Sequence, residues 1–185
     1  MTITITTPPS ATANSYLTTS EADLFSHEHE FGDDWRNADT NERNLALITC
    51  TRLIDARDWH GSATHPDIQD NALNWPRYGI VIRGYEIDSS TLPTQLKRAV
   101  AVAAFHWIKV RKDWEEYEAE NHVNSEDFPM SSIKVGNLQV DWDTSEETND
   151  SDAPLKPSEY RVPKEVLILL RPFTNVGATK LRMCR

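Results

Sequence analysis

Between Ala99 and Val110 this chain is apolar almost all the way round a helix. Val100, Ala103, Trp107 and Val110 form one stripe at steps of three and four, and Ala101, Ala104, Phe105 and Ile108 form a second. A helix with one apolar stripe can lie on a surface, but one with two has to be covered on both sides. The first stripe extends from Leu96 to Trp114 and Tyr117, and Pro93 stands where a first-turn proline is welcome. The spacing therefore predicts a mainly α fold, a small helical bundle around one long central helix that opens at Pro93 and turns acidic at its far end.

The other helices carry their own start signals. Thr18-x-x-Glu21 is a capping-box pattern, followed by Ala22, Leu24 and Phe25, and predicts a first helix to about Glu30. Asp39-x-x-Glu42 opens a longer one in which Ala46, Leu47, Cys50, Leu53 and Ile54 recur at helical spacing, with Cys50 buried and Arg43, Arg52 and Asp55 outward. Residues 59–91 break the periodicity at Gly61, Pro66, Pro76, Gly79 and Gly84, so they read as a long irregular connection pinned by Trp59, Trp75 and Tyr78. Pro163, then Val166, Leu167, Leu169 and Leu170, predicts a last helix of about two turns ending at Pro172, with a tail from Phe173.

One β-hairpin interrupts this helical pattern. In Ile133-Lys134-Val135-Gly136-Asn137-Leu138-Gln139-Val140, Gly136-Asn137 is a two-residue turn that pairs Val135 with Leu138 and Ile133 with Val140. Those four share one apolar face, with Lys134 and Gln139 on the other. Two strands alone are marginal in water, so that face needs cover from the chain's own helices or from a neighbouring subunit.

The 185 residues suit one domain, and 38% hydrophobic content with six Trp is enough for a core. The expected organisation is an extended N-terminal arm at 1–15, a helical domain at 16–142 with the hairpin at 133–140, an acidic linker at 143–158, and a short helix with a tail at 159–185; both termini read as flexible. The net charge of −10 argues against a simple phosphate-binding surface. From Asp113 to Asp152 thirteen Asp or Glu stand against one basic residue, Lys134. Cys50 and Cys184 suggest neither a disulfide framework nor a zinc site, and no signal peptide or membrane span is visible, which fits a cytoplasmic setting.

Candidate chemistry is sparse. His27-x-His29 invites a metal reading, but side chains two apart on a helix diverge, so a solvated helix face accounts for it. His60, His65, Asp67 and Asp70 could ligate a metal or do acid–base work if folded together; a polar loop explains the same residues. His106, inside the apolar run, reads as a hydrogen-bonded core or interface histidine. No nucleophile elbow, phosphate loop or zinc-protease motif is present, so the expectation is a protein without catalytic residues, cofactor or metal. Trp75-Pro76-Arg77 would present a guanidinium in a set direction, either to a subunit contact or to an internal salt bridge.

Several segments resemble small proteins of tailed-phage structural modules: Asn14-Ser15-Tyr16-Leu17-Thr18 with Glu21-Ala22-Asp23, Thr51-Arg52-Leu53-Ile54-Asp55, and Gln69-x-x-Ala72-Leu73-x-Trp75-Pro76-Arg77. With Pro93 opening a helix and the late hairpin, residues from about Asn14 to Phe173 resemble the head–tail connector (adaptor) proteins that ring the bottom of the portal. His60-Gly61 and the long acidic linker depart from that pattern. The resemblance implies a homo-oligomeric ring, twelve-fold, in the virion at the head–tail interface after assembly in the host cytoplasm. Its partners would be portal, tail or nozzle proteins and passing duplex DNA, with no membrane. Ile133, Val135, Leu138, Val140, Trp75 and Arg77 are the expected interface residues. Members of this sequence family are often labelled DnaT-like single-stranded-DNA-binding proteins, and that is the rival expectation; an enzyme using His60, His65 and Asp67 is a third.

Overall fold

The computed structural model describes residues 2–122, 132–135, 138–141 and 154–174, with the side chains of 120–122, 132–135, 138–141 and 159 left out of that description. Both capping boxes form. Thr18 caps α1 (Thr19–Ser26): its hydroxyl accepts from the Glu21 N–H, and Glu21 Oε2 accepts from the Thr18 N–H at 2.8 Å. Asp39 caps α3 (Thr40–Asp55) in the same reciprocal way with Glu42.

The first helix is shorter than its pattern predicted. It stops at Ser26 because the chain folds back onto that residue: a Cβ at Gly32 would lie 1.8 Å from the Ser26 carbonyl oxygen, and Arg36 Nη1 donates to that oxygen at 3.0 Å. A second short helix, α2 (Gly32–Asn37), follows, and its buried Trp35 donates Nε1–H to Asp23 at 2.7 Å.

The N-terminal arm is not a loose extension. Asparagine side chains tie its backbone down: Asn41 Oδ1 accepts from the Ile3 N–H, Asn44 Nδ2 donates to the Ile3 carbonyl, and Asn14 bonds Thr4 and Thr6. Ala13 and Ser15 are buried. Hydrogen bonding rather than apolar burial orders this segment, so hydropathy alone could not show it.

The connection after α3 contains two small antiparallel pairs, so the late hairpin is not alone in a helical chain. β1 (Ser62–Ala63) pairs with β2 (Arg77–Tyr78), and β3 (Val81–Ile82) with β4 (Tyr85–Glu86). Then α4 (Thr94–His122) runs for 29 residues. Ala99 to Phe105 and Ile108 are all buried, as the double stripe requires. No helix among the described residues is long and apolar enough to cross a membrane.

The chain divides into two compact units, Met1–Lys109 with Arg161–Arg185, and Val110–Tyr160. The first holds the core around Tyr16, Leu17, Trp35, Leu47, Ile54 and Phe105. It also holds α5 (Lys164–Leu170), with Val166, Leu170 and Phe173 buried. Thr174 bridges Trp59, and the His60 N–H donates to the Phe173 carbonyl at 2.8 Å, so Phe173 belongs to the core and not to a tail.

In the second unit Arg111 pairs with Glu115 at 2.8 Å, and Lys156 Nζ sits 5.4 Å from the centre of the Trp114 ring. Strands β5 (Ser132–Val135) and β6 (Leu138–Asp141) pair in the expected register, Val135 with Leu138 and Ile133 with Val140. The turn at 136–137 and the side chains of Ile133, Val135, Leu138 and Val140 lie outside the described residues, as do residue 142, 143–153 of the expected linker and the tail from 175.

Candidate functional site

Trp75 and Arg77, expected at an interface, are interior in the single chain. Trp75 is fully buried, edge-on to Trp59 at 5.6 Å and to Phe173 at 5.5 Å, and its peptide bond to Pro76 is cis. Arg77 makes no salt bridge among the described residues. It donates Nε–H to the His60 carbonyl at 2.8 Å, Nη2–H to Gly61 at 2.7 Å and Nη1–H to Asn74 at 3.3 Å. Burial lowers its pKa, and the nearby Tyr16, Asp55 and Asp58 oppose that shift.

Beside it the Tyr16 hydroxyl donates to Asp55, whose carboxylate also accepts from the Asn74 N–H at 3.0 Å. Burial first, and Asp55 second, push the Tyr16 hydroxyl far above the ordinary phenol range. A guanidinium matched to three carbonyls fixes the path of an irregular segment whose backbone groups no helix satisfies.

The segment that this hub anchors leaves two tyrosines exposed. Ile80 is buried under the segment, while Tyr78, Val81 and Tyr85 are 52%, 62% and 80% exposed. Arg83 and Gly84 form the β3–β4 turn with φ of 53° and 85°, a left-handed pair suited to a two-residue hairpin. For arginine that backbone costs about 1–2 kcal/mol, and strain of this kind gathers at recognition sites. Tyr78 was expected to pin the connection from within; Trp59 and Trp75 do so, and Tyr78 faces water. Exposed tyrosine rings can stack on bases or on apolar groups of a partner.

A second constellation joins three elements. His29, after α1, and His106, on α4, each direct Nε2 at Glu165 Oε1 on α5, with His29 at 3.2 Å. Partial burial raises the Glu165 pKa, but the hydrogen bonds and charges of His106 and His29 outweigh it and hold the carboxyl below its usual range. Glu21 behaves alike: burial is outweighed by Lys97, 2.6 Å away, and by Thr18.

A carboxylate depressed in the folded state contributes stability above its ordinary pKa of about 4.3 and loses it as pH falls through the lowered value. The urea midpoint should therefore drop on acidification below about pH 4.5. Glu21→Gln and Glu165→Gln should each flatten that profile.

His106 is hydrogen-bonded, as its apolar setting required, and His27 is exposed while His29 turns inward. Among the described residues His60, His65, Asp67 and Asp70 form no group whose donor atoms could share an ion. Glu165 and the Tyr78–Tyr85 surface had no signal in residue spacing: one depends on elements 59 residues or more apart, the other on which side of a loop faces water.

Charge separates along the chain. Residues 110–160 carry fourteen acidic and four basic groups, whereas the remainder carries fifteen of each. The whole negative excess thus belongs to one unit. A family model described as "Putative DnaT-like ssDNA binding protein" matches residues 1–185. No match was found among curated proteins or among solved structures.

Proposed function

Because the chain belongs to the DnaT-like ssDNA-binding family over its whole length, its function has to reconcile its charge with DNA, and we propose that it does so as a ring subunit. In this reading it is a non-enzymatic structural protein at the head–tail interface of a tailed phage, joining portal to tail components and lining the channel for duplex DNA. The observation that carries the reading is the confinement of the negative excess to residues 110–160. A channel wall must let a polyanion slide, and each unmatched Lys or Arg would add phosphate affinity. The resemblance of residues from about Asn14 to Phe173 to connector proteins supports it, and implies twelve-fold assembly. The family description names no virion role.

That description favours a second reading, single-stranded-DNA binding, and the exposed Tyr78, Tyr85 and Arg83 favour it as well. The unit that bears them is balanced in charge, so it does not repel phosphate as a whole. Titrating a labelled oligonucleotide at low and physiological salt separates the two. The ring reading expects weak binding at both, and cosedimentation with portal rings. Tight binding that falls steeply with salt and is lost in Tyr78→Ala and Tyr85→Ala would overturn it in favour of the second.

A further inference from the structure

We propose that His29, His106 and Glu165 form a binding site for a divalent transition-metal ion of zinc's class. The three come from three separate elements of one compact unit, and their donor atoms all lie within 4.8 Å of one another. Two imidazoles and one carboxylate are a donor set that suits zinc, and poorly suits magnesium or calcium, which prefer all-oxygen shells. Tetrahedral zinc with bonds of about 2.0–2.1 Å sets its donors roughly 3.3 Å apart. The His29–Glu165 separation of 3.2 Å already has that value, whereas His106 Nε2 lies closer to Glu165 Oε1 and would draw back to admit an ion.

The surroundings suit a three-ligand site with one open position. The side chains of His29 and His106 are 11% and 22% exposed, and Glu165 is 45% exposed, so water can reach a fourth position from the Glu165 side. Aromatic rings hold the imidazoles in place: Phe31 meets His106 edge-on at 4.7 Å, and Phe105 lies 5.4 Å from His29. Such walls restrict rotation of the ligands and lower the cost of ordering them.

The ion-free state has a defined proton arrangement. The Phe31 N–H donates to His29 Nδ1 at 3.2 Å, so neutral His29 carries its proton on Nε2 and gives it to Glu165. For Nε2 to ligate a metal, that proton must move to Nδ1, and the Phe31 N–H must release its acceptor. An ion thus replaces donated protons as the positive partner of Glu165, and the Phe31 amide reports the exchange. Binding would clip α5 and α4 to the α1–α2 turn, a role independent of the ring and DNA readings.

The test uses the full chain titrated with zinc by calorimetry and with cobalt(II) by visible absorption. The expected result is one equivalent per chain and a four-coordinate cobalt spectrum. Affinity should fall by at least about 100-fold in His106→Gln and Glu165→Gln, since even losing an outer-shell partner costs 10–100-fold. His27→Gln, at the exposed neighbour, should bind as the parent does. Zinc should also shift the Phe31 amide resonance of the unaltered protein, which decides the question even where a variant folds poorly. No stoichiometric binding, an unmoved Phe31 amide, or binding retained in both His106→Gln and Glu165→Gln would overturn the site.

Discussion

Trp75→Ala should destabilise the chain by about 3–5 kcal/mol, the range for removing a large aromatic from a core that cannot close around the gap. The gap would open where three separate segments meet. Trp75 is edge-on to Trp59, just after α3, and to Phe173, just after α5, so its ring ties both to the connection. Asn71 Nδ2 donates to the Trp75 carbonyl at 2.8 Å and to that of Leu73 at 2.7 Å, which stops the backbone from following the smaller side chain inward. Trp75 Nε1 is buried and finds no hydrogen-bond partner among the described residues. Trp75→Phe removes that unpaired donor and keeps an aromatic ring, so it should cost a fraction of the alanine change. Urea unfolding of the three proteins checks the order; a loss under about 1 kcal/mol for alanine would show that the ring contacts do not carry the packing assigned to them.

The second large effect is expected at Arg77. Arg77→Met keeps much of the side chain's apolar stem but leaves the carbonyls of His60, Gly61 and Asn74 without their donor. Hydrogen bonds from a charged group contribute about 1.5–3 kcal/mol each and are not additive, so a total loss of about 3 kcal/mol is expected. Lysine cannot replace the fork, because one ammonium does not reproduce the planar spread that reaches three carbonyls. Gly61 adds a constraint: with φ at +65° and a would-be Cβ 2.2 Å from the Tyr78 carbonyl oxygen, this crossing admits only glycine. Amide exchange should therefore quicken first at residues 60–64 and 77–87, and any contact made by Tyr78 and Tyr85 should weaken with it. An unchanged urea midpoint in Arg77→Met would refute this account.

Both predictions concern residues that the sequence marked for a different reason. Trp75-Pro76-Arg77 stood out as a tripeptide whose proline sets the direction of its side chains, and that direction is inward. That direction depends on Trp59 and Phe173 arriving from positions 16 residues before and 98 after it, which no local pattern encodes. The same limit applies to α1. Its capping box was legible because the partners lie three residues apart; its end at Ser26 was not, because Arg36 and Gly32 set it.

What the sequence determined by itself is therefore the set of features made by near neighbours: two capped helix starts, the double stripe of α4, the short α5 after Pro163, and the register of β5 with β6. Interactions at separations of two to four residues act before any tertiary contact exists, so they leave a periodic trace. Composition likewise showed that the negative excess is confined to one stretch. Tertiary structure alone decided the tethering of the N-terminal arm by Asn14, Asn41 and Asn44, the inward turn of Arg77, the exposure of Tyr78 and Tyr85, and the meeting of His29, His106 and Glu165. In each of these, a polar or aromatic group takes the partner that core packing places beside it. That choice is made by the burial of α4 and the path of the chain around it, not by spacing along the sequence.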